Sequence, residues 1–384
     1  MKIRKELPLA IEENLCRLYL NYQDLNSICF LDKHYKNFFF SNYINVYSSN
    51  LEWYKFQYIP DNKMLYSGRY VDTMVVDSTI FRNQPDMEEI KQYILQLLDK
   101  EYYVEIYVDE YYLPGTLFYN SEHYPHQQLL YGYDLLEKEF MILGINGSGQ
   151  TQSFRVSFDL FLSSMFILQN EYFKQFQFEQ ILNFPHLRLY RKNPEWVDFD
   201  IRIIVKELEN YLKSEDVFTL FSNSSRSISF LNMEHKIFSG ISVYDSFIEY
   251  IETLPTTEKI NVPFYFGLKE HLEIMKYRIQ YVFKFSGVSI TNLTKKEMIR
   301  EFDSLIVKHS QFVNLCTREN MRFPRIGDRN RLMSVAGELK NEVFILYSKV
   351  LEMLTKLDYK DVMNNNRYFF GVVGLSGDLL PKVE

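Results

Sequence analysis

A chain of 384 residues with 46% apolar and 24% charged side chains can bury a large core, which excludes a small disulfide scaffold and a chain kept disordered by charge. At about 150 residues per domain, the length corresponds to two to three domains. The net charge of −7 offers no general attraction to nucleic acid or to an anionic membrane, so an anionic partner would need a local basic patch.

The chain begins with a basic stretch, Met1 to Arg4, but Glu6, Glu12 and Glu13 precede any apolar run, so no secretory signal is read. No apolar stretch approaches the roughly 20 residues of a membrane-crossing helix, and a cytoplasmic protein without a membrane partner is expected. A helix is expected from Asn14 to Phe30, with Leu15, Leu18, Tyr22, Leu25 and Cys29 at helical spacing. Extended segments follow at Tyr54 to Ile59 and Tyr70 to Asp77. The next helix, Met87 to Lys100, carries Asp86 and Glu89 as N-cap and N3 of a capping box. Alternation of Val104, Ile106 and Val108 predicts a strand over Tyr102 to Val108, and Pro114-Gly115 then enforces a turn. Gln127 to Tyr133 and Glu139 to Ile145 read as an antiparallel hairpin around an acidic turn, with Phe154 to Phe158 a further strand.

Pro185 and Pro194 mark a boundary, giving a first domain over 1–183, a linker over 184–197 and a second domain over 198–384. A serine-rich loop, Ser222 to Ser229, lies within the second. Three apolar stripes then step by threes and fours: Leu268 to Val282, Met298 to Cys316, and Leu332 to Leu354. The expected class is α+β, a small antiparallel sheet beside helices followed by a mostly helical C-terminal domain.

Three cysteines, Cys16, Cys29 and Cys316, are too few and scattered for a disulfide framework or a zinc cluster, and read as free thiols. A Cys and His pair transfers acyl groups: the imidazole takes the thiol proton and the thiolate attacks a carbonyl. If Asn14 caps the first helix, Cys16 lies in its first turn, where the dipole and free amides favour a thiolate; a start near Leu9 would make it mid-helix. Cys29 and Cys316 fall on apolar stripes and read as packing thiols. His123 and His126 stand together ahead of a strand, with only Glu122 near as a third ligand, so no metal is expected. His309, on an apolar helix face, reads as a satisfied core imidazole. Asp109 either binds an amine acceptor or caps the turn after its strand. Gly147-Ser148-Gly149-Gln150 lacks the lysine of a phosphate-binding loop.

The run Val108-Asp109-Glu110-Tyr111-Tyr112-Leu113-Pro114-Gly115, followed by His123, His126 and Leu130-Tyr131-Gly132-Tyr133-Asp134, resembles the core motif of the butirosin biosynthesis protein H-like family. Weaker likeness continues through Ser242-Val243-Tyr244-Asp245, Glu270-His271 and Arg278. The resemblance implies a papain-like N-terminal domain and acyl transfer from a carrier-protein thioester to an amine, in secondary-metabolite biosynthesis. Cys16 would be the nucleophile and His126 the general base. The residue orienting the histidine is displaced from the family position, near Gly144, leaving Asn146 or Asp134; Ala10 stands where an oxyanion-polarising Gln is usual. Asp109, Tyr111, Tyr112, His123 and Tyr131 would line the substrate site, within a segment dense in the chain's 64 aromatic residues.

No bound cofactor is implied beyond the phosphopantetheine of the partner carrier protein. Arg318, Arg322, Arg325, Arg329 and Arg331 fall within fourteen residues of an otherwise acidic chain. They form a candidate dock for an acidic carrier helix or that phosphate, or else a solvated loop with internal salt bridges. The alternatives to a transferase are a catalytically silent accessory protein of a megasynthase, and an amidohydrolase or peptidase using the same dyad.

Overall fold

The computed structural model describes residues 2–11, 27–42, 44–49, 56–59, 71–76, 86–148, 151–167, 187–192, 199–215, 236–255, 258–285, 290–322 and 329–357. The chain is mixed α and antiparallel β, in two compact units: residues 1–39 with 60–197, and residues 40–59 with 198–384.

The first unit is built on a seven-stranded sheet. Its strands are β1 (Arg4–Glu6), β4 (Val71–Val76), β5 (Tyr103–Asp109), β6 (Pro125–Asp134), β7 (Glu139–Ile145), β8 (Thr151–Ser157) and β9 (Leu187–Lys192). The order is β4-β9-β5-β6-β7-β8 with every pair antiparallel, and β1 pairs with the far half of β6, beyond the reach of β5. The expected hairpin is β6–β7. Its turn is made by Asp134, whose carboxylate accepts the amides of Leu136 and Glu137 at 3.0 and 3.3 Å, an Asx turn.

β5 is central and buried on both faces. Val104, Ile106 and Val108 form one apolar face as expected. On the other, Glu105 is also buried and is satisfied by β9, through Arg188 Nη1 at 3.1 Å and the Tyr190 hydroxyl at 2.5 Å. The stretch expected as a linker therefore contains a strand within the sheet. Leu187, Leu189 and Tyr190 are buried there, so this segment contributes core. Helix α2 (Met87–Asp99) covers the sheet with Ile90, Ile94, Leu95, Leu97 and Leu98 and is capped by Asp86, which accepts the Glu88 amide at 3.0 Å. Helix α3 (Phe158–Ile167) follows β8. Of the first expected helix, residues 27–29 are helical, Phe30 lies in the following turn, and residues 14–26, including Cys16, lie outside the described residues.

The second unit differs from the expected 198–384 domain in that residues 40–59 pack with it. The nine-residue helix α1 (Lys33–Ser41) carries the chain across this boundary. Strands β2 (Asn45–Ser49) and β3 (Phe56–Ile59) join β10 (Ile237–Ser239) in a three-stranded sheet. Around it stand α4 (Ile201–Lys213), α5 (Val243–Thr253), α6 (Val262–Phe285), α7 (Asn292–Met321) and α8 (Arg329–Thr355). The three predicted stripes are the buried faces of α6, α7 and α8, with Val335 half-buried beside a buried Ala336. Residues 40–59 enter through a polar anchor: Arg278 of α6, wholly buried, donates from Nε to the Phe40 carbonyl at 2.8 Å and from Nη2 to that of Asn42 at 2.6 Å. At Gly240, φ is +55°, and a Cβ would stand 2.3 Å from the Tyr211 carbonyl oxygen, so backbone conformation and space both demand glycine. Among the described residues no helix is long and apolar enough to cross a membrane.

Candidate active site

His126 opens β6 opposite Val108 of β5. Side chains two apart on a strand share a face, which places Gln128 beside His126. The chain leaves β5 into a single 3-10 turn, Glu110–Tyr112, started by Asp109, whose carboxylate accepts the Tyr111 amide at 3.1 Å. This turn brings Glu110 to the imidazole: His126 Nδ1 stands 2.5 Å from Glu110 Oε1. The Glu110 carboxylate is wholly buried, whereas the His126 side chain is about one-third exposed. An Nδ1 held by a carboxylate carries the proton and leaves Nε2 as the basic nitrogen, the arrangement that prepares an imidazole for general-base work.

Gln128 completes the group by donating from Nε2 to the same Glu110 oxygen at 2.7 Å. Glu110 Oε2 and Gln128 Oε1 are buried without hydrogen-bond partners. Tyr124 lies 5.6 Å from the His126 ring, centroid to centroid, and packs on Phe118 at 4.3 Å.

Neither expected orienting residue serves His126. Asp134 is at the opposite end of β6, eight residues or about 26 Å away along a strand, with its carboxylate engaged in the hairpin turn. Asn146, half-buried in an isolated bridge to Thr116 just after β7, donates to Gln152 Oε1 and accepts the Ser148 amide, both at 2.9 Å. The carboxylate paired with His126 is that of Glu110. Its signal was present in the pattern: Val104, Ile106, Val108 and Glu110 continue one face, and an acidic residue ending a buried apolar row requires a partner.

The substrate residues divide. Asp109, Tyr111, Tyr112 and His123 form one cluster: His123 Nδ1 meets Asp109 Oδ2 at 2.7 Å, and Tyr111 stacks on the His123 ring at 4.3 Å and meets Tyr112 edge-on at 5.1 Å. Asp109 itself is wholly buried, and its other oxygen holds the amides of Tyr111 and Tyr124. It is therefore a turn-builder and histidine anchor, with both carboxylate oxygens already engaged. Tyr131, at the irregular register between Leu130 and Gly132, is buried with its hydroxyl on Ser153. Tyr103 and Tyr133 are likewise buried, bonded to the Pro8 carbonyl at 2.7 Å and to Asp99 at 2.6 Å. These rings are core, and among the described residues the aromatic group around the two histidines is Tyr111, Tyr112, Phe118 and Tyr124.

Burial raises the thiol pKa of both described cysteines, that of Cys316 to about 12 and that of Cys29 further. Neither suits a nucleophile. Cys16 and Arg325 lie outside the described residues. Of the remaining arginines, Arg318 is exposed, Arg322 pairs with Glu319 at 3.0 Å, and Arg329 and Arg331 begin α8. Among the described residues, no three His, Cys, Asp or Glu side chains group as metal ligands. No protein-family model matches the chain, and no curated protein matches it.

Proposed function

We propose that the protein is a cysteine-dependent acyltransferase in which Cys16 is the nucleophile, His126 the general base and Glu110 the residue that fixes the base. The observation carrying this reading is the 2.5 Å pairing of the His126 Nδ1 with a fully buried carboxylate. The role of Cys16 rests on the resemblance of the His126 region to the butirosin biosynthesis protein H-like family, and it agrees with the burial of the other two thiols. A papain-like first unit belongs to the same proposal, with the opening of β6 presenting the base.

The thiol proton passes to His126 Nε2, and the thiolate attacks the carbonyl of a carrier-protein thioester. The bond to the phosphopantetheine sulfur breaks, that sulfur takes the proton from the imidazolium, and the acyl group remains on Cys16. An amine then attacks the acyl-enzyme, its proton is taken by His126, and the Cys16 thiol is restored. The carboxylate of Glu110 stabilises the imidazolium in both halves. The carrier protein would dock on the Arg318, Arg322, Arg325, Arg329 and Arg331 segment, whose charge suits an acidic helix and a phosphate. Free thiols and a carrier-protein donor fit a cytoplasmic setting.

Intact-protein mass spectrometry with acyl-loaded carrier protein and no amine tests the reading. An increment equal to the acyl group, absent in Cys16→Ala, is expected. An increment that persists in Cys16→Ala, or none with thioesters of several chain lengths, overturns it in favour of an accessory binding role.

A further inference from the structure

We propose that Gln128 is the positioning residue of the His126–Glu110 pair, and that position 144 is glycine because Gln128 fills the space a side chain there would need. The inference rests on the reading of His126 as a general base. Glu110 is held through one oxygen, Oε1, which takes both the His126 and the Gln128 donors, while Oε2 has no partner. A carboxylate tethered by the imidazole alone could turn about its Cγ–Cδ bond and carry the ring with it. Two donors from neighbouring positions of one face of β6 define a single orientation.

The surroundings show that Gln128 is not there for packing. Apart from His126 and Glu110, the residues around it on that face are Ile106, Val108, Leu130 and Ile142, buried and apolar. Gln128 is equally buried, yet its Oε1 lacks a partner, a continuing cost that an apolar residue would avoid. At Gly144 of β7, a Cβ would fall 2.4 Å from Gln128 Oε1 and 3.3 Å from its Cδ. A buried amide against a bare backbone position costs stability twice, and what it achieves is a second hold on Glu110.

The test uses the full chain with 15N-labelled histidine, reading the His126 ring nitrogens by NMR across pH. The wild type is expected to show one neutral tautomer, with the proton on Nδ1. Gln128→Leu removes the donor at similar volume, and Gly144→Ala removes none but displaces Gln128. Both are expected to mix the tautomers, with retained cooperative unfolding. Gln128→Met supplies a flexible alternative where Leu fails to fold. Ring-nitrogen signals identical to wild type in the folded variants would overturn the role of Gln128. Cys16 reactivity independent of His126 would overturn the acyl-transfer reading while leaving the tautomer result standing.

Discussion

Glu110→Gln is expected to lower the rate of Cys16 acylation by up to about 10⁴-fold, the loss seen when the buried acid of a Ser-His-Asp triad becomes its amide. Glutamine has the same size and leaves the surrounding apolar row filled, so the fold should persist. The imidazole, however, loses the anion that keeps Nδ1 protonated and stabilises the charged ring. The amide can also present its N–H to Nδ1, which selects the opposite tautomer and places the proton on Nε2, where the thiol proton must go. Single-turnover mass spectrometry measures the effect. A Glu110→Gln rate within about threefold of wild type would show that the carboxylate has no part in the reaction. A parallel Asp134→Asn variant should leave the chemical step unchanged, because that carboxylate shapes the hairpin turn.

Acid is expected to loosen the second unit through two buried imidazoles. His271 donates from Nε2 to the Ile44 carbonyl at 2.8 Å, accepts the Tyr347 hydroxyl at Nδ1 at 3.1 Å, and stacks on Tyr211. His309 donates from Nδ1 to the Leu305 carbonyl at 2.9 Å and accepts the Tyr244 hydroxyl at Nε2 at 2.7 Å. Burial pushes their pKa values down from 6.5, to about 3 for His271, with Arg278 adding to the shift, and to about 4 for His309, where Glu342 opposes it. In the unfolded chain both take protons near 6.5. Below that pH the unfolded state holds more protons, so stability falls as pH drops towards the folded values.

Each imidazole contributes up to about 1.4 kcal/mol per pH unit, and together they remove about 4 kcal/mol between pH 8 and pH 5. Glu207, whose carboxyl pKa is raised by burial, acts in the opposite direction, so the histidine contribution is isolated by variants. Urea melts of wild type and His309→Gln at the two pH values are expected to differ by about half of the pair's effect. Equal acid sensitivity in the two proteins would exclude His309 as a cause.

Element type was legible wherever periodicity was long. The stripes of α6, α7 and α8, and the alternation along β5, follow from burial of one face at a fixed period. The sequence was less informative where long-range pairing decides. Leu187–Lys192 is a short segment, half of it Arg and Lys, between prolines and resembles a linker until β4 and β5 are known to lie on either side. Residues 40–59 belong with the second unit through Arg278 and the β2–β10 pairing, more than 180 residues away in the chain. At the candidate site, His126 stood out by its place at the head of a strand, but the carboxylate beside it did not. Asn146 and Asp134 were candidates by position in the hairpin, whereas Glu110 reaches the ring across the β5–β6 register, where Val108 faces His126. Asp109, one residue earlier, turns its carboxylate to backbone amides and His123, so a one-residue shift separates the two roles.

The most direct measurement is the pH dependence of Cys16 alkylation by iodoacetamide, quantified by peptide mass spectrometry so that Cys29 and Cys316 are counted separately, in wild type and His126→Ala. If Cys16 and His126 ionise as a pair, wild-type Cys16 reacts with a midpoint well below the roughly 8.5 of a free thiol, and His126→Ala returns it to about 8.5. A midpoint near 8.5 in both proteins would contradict the dyad.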